Sequence, residues 1–169
     1  SQRGVGKINS FNFVNYFPPV NNNDNEVSSI IQLENEKFFF GSKYGYYIFN
    51  NGKITTHEFT SVGNQPLSSN RIGDAIKDNK GQVYFIAGQL GICKLMPNEG
   101  YSVVIPFSNY PEEITSLTTD AQGTAIAVGS SSMYKLINGK LIFLEEIFTS
   151  QQYVRKLFFG KAGEYYIAT

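Results

Sequence analysis

The sequence predicts an all-β chain built of repeated four-stranded antiparallel units, and three observations carry that prediction. Fourteen Phe, eleven Tyr and sixteen Gly in 169 residues, with no Trp, make a β-rich chain full of turns. One pattern of apolar and turn positions then recurs at spacings of 45, 42 and 40 residues. Asn-Gly pairs between apolar runs mark hairpins, and no stretch of about ten residues keeps helical periodicity.

The repeat is anchored on Glu36, Gly81, Gly123 and Gly163, at roughly the 40–45 residues of one β-propeller blade. Nine residues before the anchors stand Val27, Ile72, Ile114 and Val154; six before stand Ile30, Ala75, Leu117 and Leu157. This first segment, Arg71–Ile76 in the second unit, is expected as the innermost strand. An Asp-x-x-Gly turn follows at Asp78–Gly81 and Asp120–Gly123, where Asp accepts backbone N–H bonds and Gly takes a positive φ. The first unit has Leu33 and Glu36 at those positions, and the fourth has Gly160 in place of the Asp.

The second strands, Phe38–Phe40, Val83–Phe85, Ala125–Ala127 and Tyr165–Ile167, are apolar on both faces, as strands sandwiched between blades must be. They run into small residues such as Gly41-Ser42 and Val128-Gly129, which permit close backbone approach. Third strands follow at Tyr46–Phe49, Ile92–Leu95 and Met133–Leu136. Turns at Asn51-Gly52, Asn98–Gly100 and Asn138-Gly139 lead to outer strands Ile54–Phe59, Ser102–Phe107 and Leu141–Glu146, expected to be polar edges.

Residues 1–169 thus form one propeller domain or fragment, with units at about 27–66, 67–108, 109–149 and a partial 150–169. Residues 1–20 are expected to supply a third strand (Gly4–Ile8) and an outer strand (Phe11–Tyr16) of a shared blade. The units either close a ring of four or belong to a larger ring; the final strand, which stops without a turn, favours the larger ring.

Composition narrows function. Fourteen basic against fourteen acidic residues leave no surplus of positive charge for nucleic acid. No run approaches the roughly 18–20 apolar residues of a membrane span, and Ser1–Gly4 starts no signal-peptide pattern. The single Cys93 excludes an internal disulfide and a thiolate zinc cluster, and nothing implies a cofactor.

Pro66-Leu67-Ser68-Ser69-Asn70-Arg71-Ile72 followed by Ile76-x-Asp78-x-x-Gly81-x-Val83-Tyr84-Phe85 resembles the two-component regulator propeller repeat. Ile114–Gly123 and Phe40–Tyr46 are similar to it too, and the likeness covers Val27 to Thr169. Phe39, Tyr84, Ile126 and Tyr166 stand where that family usually has Trp. The resemblance implies a sensor propeller of a bacterial two-component or hybrid histidine kinase system, periplasmic or extracytoplasmic, ahead of a membrane span and an output domain. In gut bacteria such proteins control polysaccharide use, so an oligosaccharide or other small molecule is the implied ligand. A homodimer is a further expectation.

Catalytic signals are weak. His57 is the only histidine and is expected exposed on an outer strand; Cys93 is expected as a small buried hydrophobe. Glu112-Glu113 and Glu145-Glu146 point to opposite faces and are expected solvated. No catalytic or metal residue is assigned. Asn21–Asn25 reads as a polar loop. Phe38–Phe40 and Tyr165–Tyr166 are expected to fill the spaces between blades. Tyr44, Tyr46 and Tyr110 are expected to rim one face, with Lys43, Asn70, Arg71 and Gln89 offering hydrogen bonds there, as a ligand site built of aromatic faces and fixed polar groups requires. The module is therefore read as a non-catalytic, ligand-sensing propeller. A protein-binding scaffold and a propeller lyase or hydrolase are the rivals.

Overall fold

The computed structural model describes residues 26–59, 71–147, 154, 156–160 and 164–168 in full, and residues 5–9, 12–16, 61–62 and 65–66 through their backbone. β1 (Val5–Asn9) and β2 (Asn12–Tyr16) pair antiparallel, with Val5 opposite Tyr16, close to the two strands expected there. Asn21–Asn25 lies outside the described residues.

Three complete blades follow. The first is β3 (Val27–Glu34), β4 (Lys37–Ser42), β5 (Gly45–Asn50) and β6 (Lys53–Glu58). Two short paired strands, β7 (Ser61–Val62) and β8 (Gln65–Pro66), lead to the second: β9 (Ile72–Lys77), β10 (Val83–Ala87), β11 (Gly91–Leu95) and β12 (Tyr101–Pro106). After a 3₁₀ turn at Phe107–Asn109 comes the third: β13 (Ile114–Thr119), β14 (Ala125–Gly129), β15 (Ser132–Ile137) and β16 (Lys140–Glu146). β17 (Lys156–Phe159) and β18 (Tyr165–Ala168) form the described part of a fourth unit. Every sheet is an antiparallel meander in chain order, and the innermost strands β3, β9, β13 and β17 stand side by side, the arrangement of β-propeller blades.

Local chemistry explains the turns. Asp78 Oδ1 accepts the N–H groups of Lys80 and Gln82 at 2.9 and 2.8 Å; Asp120 Oδ1 accepts those of Gln122 and Thr124 at 3.0 and 2.8 Å. Gly81 and Gly123 take φ of 75° and 77°, and Glu36 holds the same left-handed backbone at 56° despite its side chain. The hairpin turns at Asn51-Gly52 and Asn138-Gly139 have positive φ at both residues; in the second blade the left-handed residue is Glu99.

The innermost strand carries a feature the repeat pattern did not reveal. In each complete blade its pairing with the second strand slips by one residue, leaving Ser28, Gly73 and Thr115 as the extra residue. All three stand eight residues before their anchor.

Each seam between units is one hydrophobic cluster. The first joins Phe39, Tyr46, Ile48 and Phe59 to Ile72, Phe85 and Cys93. The second joins Ile86, Ile92 and Ile105 to Ile114, Leu117 and Tyr134. The third joins Ile126, Val128 and Met133 to Val154 and Leu157. Alternation along a strand serves both neighbours: Phe85 turns to the first blade and Ile86 to the third. Gly41 sits where a Cβ would lie 2.6 Å from Ile72 Cγ2, so the close approach expected of the small residues ending β4 is real.

Two expectations are corrected. Tyr46 belongs to the core rather than the rim, because β5 turns its ring into the first seam. Tyr165 and Tyr166 stand on β18, the last strand described, and are exposed there. β16 is not a polar edge: Ile142, Phe143 and Leu144 are exposed to 48, 59 and 38%. Among the described residues no helix is long and apolar enough to cross a membrane.

Candidate binding rim

In every blade the turn joining second and third strands lies at the same end as the start of the innermost strand. Gly88 N–H donates to Arg71 O at 2.9 Å, and Ser130 N–H donates to Glu113 O at 2.9 Å. The outer strand returns to this end too: Phe107 N–H donates to Leu90 O at 3.1 Å, and Ile147 N–H to Ser131 O at 2.8 Å. Chain topology thus builds one rim from residues 43–44, 71, 88–90, 107–113 and 130–131.

Four of the anticipated ligand residues fall on that rim with describable contacts. Lys43 Nζ lies 5.4 Å from the centre of the Tyr44 ring, a cation–π distance, and Tyr44 N–H donates to Ser42 Oγ at 3.3 Å. Arg71 forks onto Glu26: Nη1 donates to Oε2 at 3.1 Å and Nη2 donates to Oε1. Its planar donors therefore tie the first and second units together at the rim. Tyr110 packs on Phe107, ring centres 5.3 Å apart, and burial followed by the neighbouring Cys93 pushes its phenol pKa up. Gln89 is exposed in the turn between β10 and β11. Asn70 lies outside the described residues.

Two polar groups whose roles the sequence did not reveal matter as much. Glu112 was expected to be solvated, but it organises the turn between β14 and β15. Its Oε2 accepts from Ser130 Oγ (2.6 Å), Ser131 N–H (2.7 Å) and Ser131 Oγ (2.8 Å), and its Oε1 from Tyr134 Oη (2.9 Å). Burial alone would raise its pKa; these hydrogen bonds outweigh it and hold the carboxyl below the usual range.

The second is a staple along the innermost strands. Asp74 Oδ2 accepts the Leu117 N–H at 2.8 Å and Lys156 Nζ, and Lys156 Nζ also donates to Leu117 O at 3.2 Å. Asp74 Oδ1 accepts the Ala75 N–H at 2.9 Å. A signal for it was present: seven residues before the anchors stand Ser29, Asp74, Ser116 and Lys156, a polar residue in every unit.

The catalytic candidates sit elsewhere. His57 is half-buried rather than exposed; it stacks on Tyr46 at 4.7 Å, with Nε2 3.9 Å from Glu99 Oε2. Burial lowers its pKa and Glu99 acts against that. Glu99 also pairs with Lys37 at 3.0 Å, and its carbonyl accepts Tyr46 Oη at 2.7 Å, so this group fastens the outer part of the first seam. Cys93 is buried, which pushes its thiol up to about 12 and leaves it protonated. Among the described residues no three His, Cys, Asp or Glu side chains form a metal-binding group.

Neither a protein-family model nor a curated protein sequence matches the chain. Solved structures do. Virginiamycin B lyase from Staphylococcus aureus is similar with a TM-score of 0.75 at 12% identity, over 96% of this chain and 55% of the lyase. The extracellular domain of a protein assigned as a one-component system in B. thetaiotaomicron is similar with a TM-score of 0.72 at 17% identity, over 95% of this chain and 23% of that one. The extracellular domain of a protein assigned as a hybrid two-component system from the same organism gives 0.70 at 13% identity, over 97% and 23%. The chain thus spans about half of the lyase and about a quarter of the two extracellular domains. At these identities the shared property is the β-propeller fold.

Proposed function

We propose that this chain is part of a larger extracytoplasmic propeller that senses a small molecule, an oligosaccharide in the first instance, for a bacterial two-component signalling protein. One observation carries the reading: Lys43, Tyr44, Arg71, Gln89 and Tyr110 all fall at one end of the blades, on turns held by the rigid sheets beneath. Loop-borne aromatic faces with fixed polar groups suit the alternating apolar and hydroxyl surfaces of a sugar. Fold likeness to extracellular domains of assigned one- and two-component systems supports the sensory role. Signalling then requires two arrangements of the parent protein that the ligand binds unequally.

A lyase reading draws support from the virginiamycin B lyase fold. One structure of that enzyme, with quinupristin, is of a catalytically inactive histidine-to-alanine variant. The single histidine here, His57, is on the outermost strand β6 and stacked on Tyr46, away from the rim turns. That placement disfavours histidine-based acid–base chemistry at the rim.

The test is titration calorimetry of the 169-residue chain against a panel of neutral and acidic oligosaccharides. A saccharide should bind, and Tyr44→Ala and Gln89→Ala should each weaken it at least about tenfold, the scale of one lost polar or stacking contact. No binding across the panel, or affinity unchanged in both variants, would remove the rim reading.

A further inference from the structure

We infer that the exposed ring of Phe107 is the stacking platform of the rim, and that the segment it opens takes a neutral saccharide in preference to an acidic one. The inference rests on the rim reading above and adds to it a residue and a narrower ligand class. Phe107 begins the 3₁₀ turn between β12 and β13, so both blades that flank it are complete. Among the described residues the rim carries three aromatic side chains, and they differ in exposure. Tyr44 is half-buried with Lys43 over its ring, and Tyr110 is half-buried with its hydroxyl enclosed; Phe107 is 51% exposed.

The sheet beneath fixes this ring in place. Phe107 N–H donates to Leu90 O at 3.1 Å, and Phe107 O accepts the Tyr110 N–H at 3.2 Å. Gly91, at φ 110°, permits the approach: a Cβ there would lie 2.6 Å from Phe107 N. The Phe107 ring leans on Tyr110 with planes tilted by 53°, and Tyr110 in turn packs on the second seam. An aromatic side chain so backed has little freedom left to lose when a pyranose covers it. Gln89, in the neighbouring turn, and Ser108 and Asn109, next in the chain, are exposed and supply neutral donors and acceptors. Charge then narrows the ligand. Residues 88–90, 107–113 and 130–131 include Glu112 and Glu113 but no Lys or Arg. The rim's cations stand at the first blade and first seam, Lys43 over Tyr44 and Arg71 forked onto Glu26. A uronate carboxylate beside Phe107 would therefore meet like charge, and an uncharged sugar would not.

Titration calorimetry of the full chain with maltohexaose, cellohexaose, xylohexaose and hexagalacturonate tests it. A neutral hexaose should bind, with hexagalacturonate at least about tenfold weaker, and Phe107→Ala should weaken the neutral sugar at least about tenfold. Glu113→Gln should narrow the gap between the two classes. Because the chain has no tryptophan, Phe107→Trp adds a single reporter, which should keep binding and shift its emission at saturation. Phe107 and Glu113 are exposed, and circular dichroism verifies that the variants fold. A neutral saccharide bound equally by Phe107→Ala, or an emission unmoved at saturation, overturns the inference. The wider rim reading survives that result if Tyr44→Ala or Gln89→Ala still weakens binding. Hexagalacturonate bound as tightly as the neutral sugars also overturns it. Binding of none of the four overturns it together with the rim reading.

Discussion

The first and third seams are built on the same repeat positions but filled differently. Between the first and second blades, Phe39, Tyr46, Phe59 and Phe85 pack with ring centres 5.1–6.2 Å apart, and Tyr46 Oη reaches across to the Glu99 carbonyl. Between the third blade and the fourth unit, the buried side chains are the aliphatic Ile126, Val128, Val154 and Leu157 with Met133. There the polar fastening moves inward to the Lys156–Asp74 staple. Phe39 and Ile126 occupy the same place in the repeat, where the resembled family has Trp. What the position demands is a filled seam; ring volume on one side and a charge pair near small aliphatics on the other both meet it.

If ring volume holds the first seam, truncating it should give the largest loss. Phe85→Ala is expected to cost about 3–5 kcal/mol, against about 0.5–1.5 kcal/mol for Ile126→Val in the third, read from urea unfolding midpoints. A larger loss from the smaller change would break the comparison. Next, Lys156→Met keeps the stem but leaves the Asp74 carboxylate without its cation; about 1–3 kcal/mol of destabilisation is expected, with partial recovery on adding Asp74→Asn. No recovery would mean that the lysine acts by packing alone. Tyr46→Phe retains the ring and loses the bond to the Glu99 carbonyl, an expected cost of about 0.5–1.5 kcal/mol.

The smallest effect concerns pH. Since Glu112 has its folded pKa below the ordinary carboxylate value, its contribution is present above that ordinary value. It is lost as pH falls through the lowered one. Glu112→Gln should therefore flatten the acid limb of the stability curve, seen by comparing unfolding midpoints at pH 7 and pH 3. An unchanged acid limb would show that the serine and tyrosine contacts do not depend on its charge.

The repeat, the strand order and the Asp-x-x-Gly turns were legible because each depends on residues within a few positions of one another. Asp78 and Asp120 bind N–H groups two and four residues ahead, and Asn51-Gly52 carries its own backbone preference. What escaped depends on seams. Tyr46 could be read as rim or core, and only the neighbouring Phe59, Phe85 and Glu99 decide it. Asp74 and Lys156 stand 82 residues apart, and their adjacency exists only once the innermost strands are ranged together. Of the anticipated rim, the common location follows from the hairpin order; the Arg71–Glu26 fork does not, since Glu26 belongs to another unit.

The Lys156 contact changes how such an array comes apart. In a linear stack of repeats, free energy is close to a sum of units and nearest-neighbour interfaces, so melting can start at an end and proceed one element at a time. Lys156 reaches past the third innermost strand to a carboxylate on the second. The fraying of the fourth unit is thereby coupled to the integrity of the second, and the cooperative length of the chain exceeds one interface.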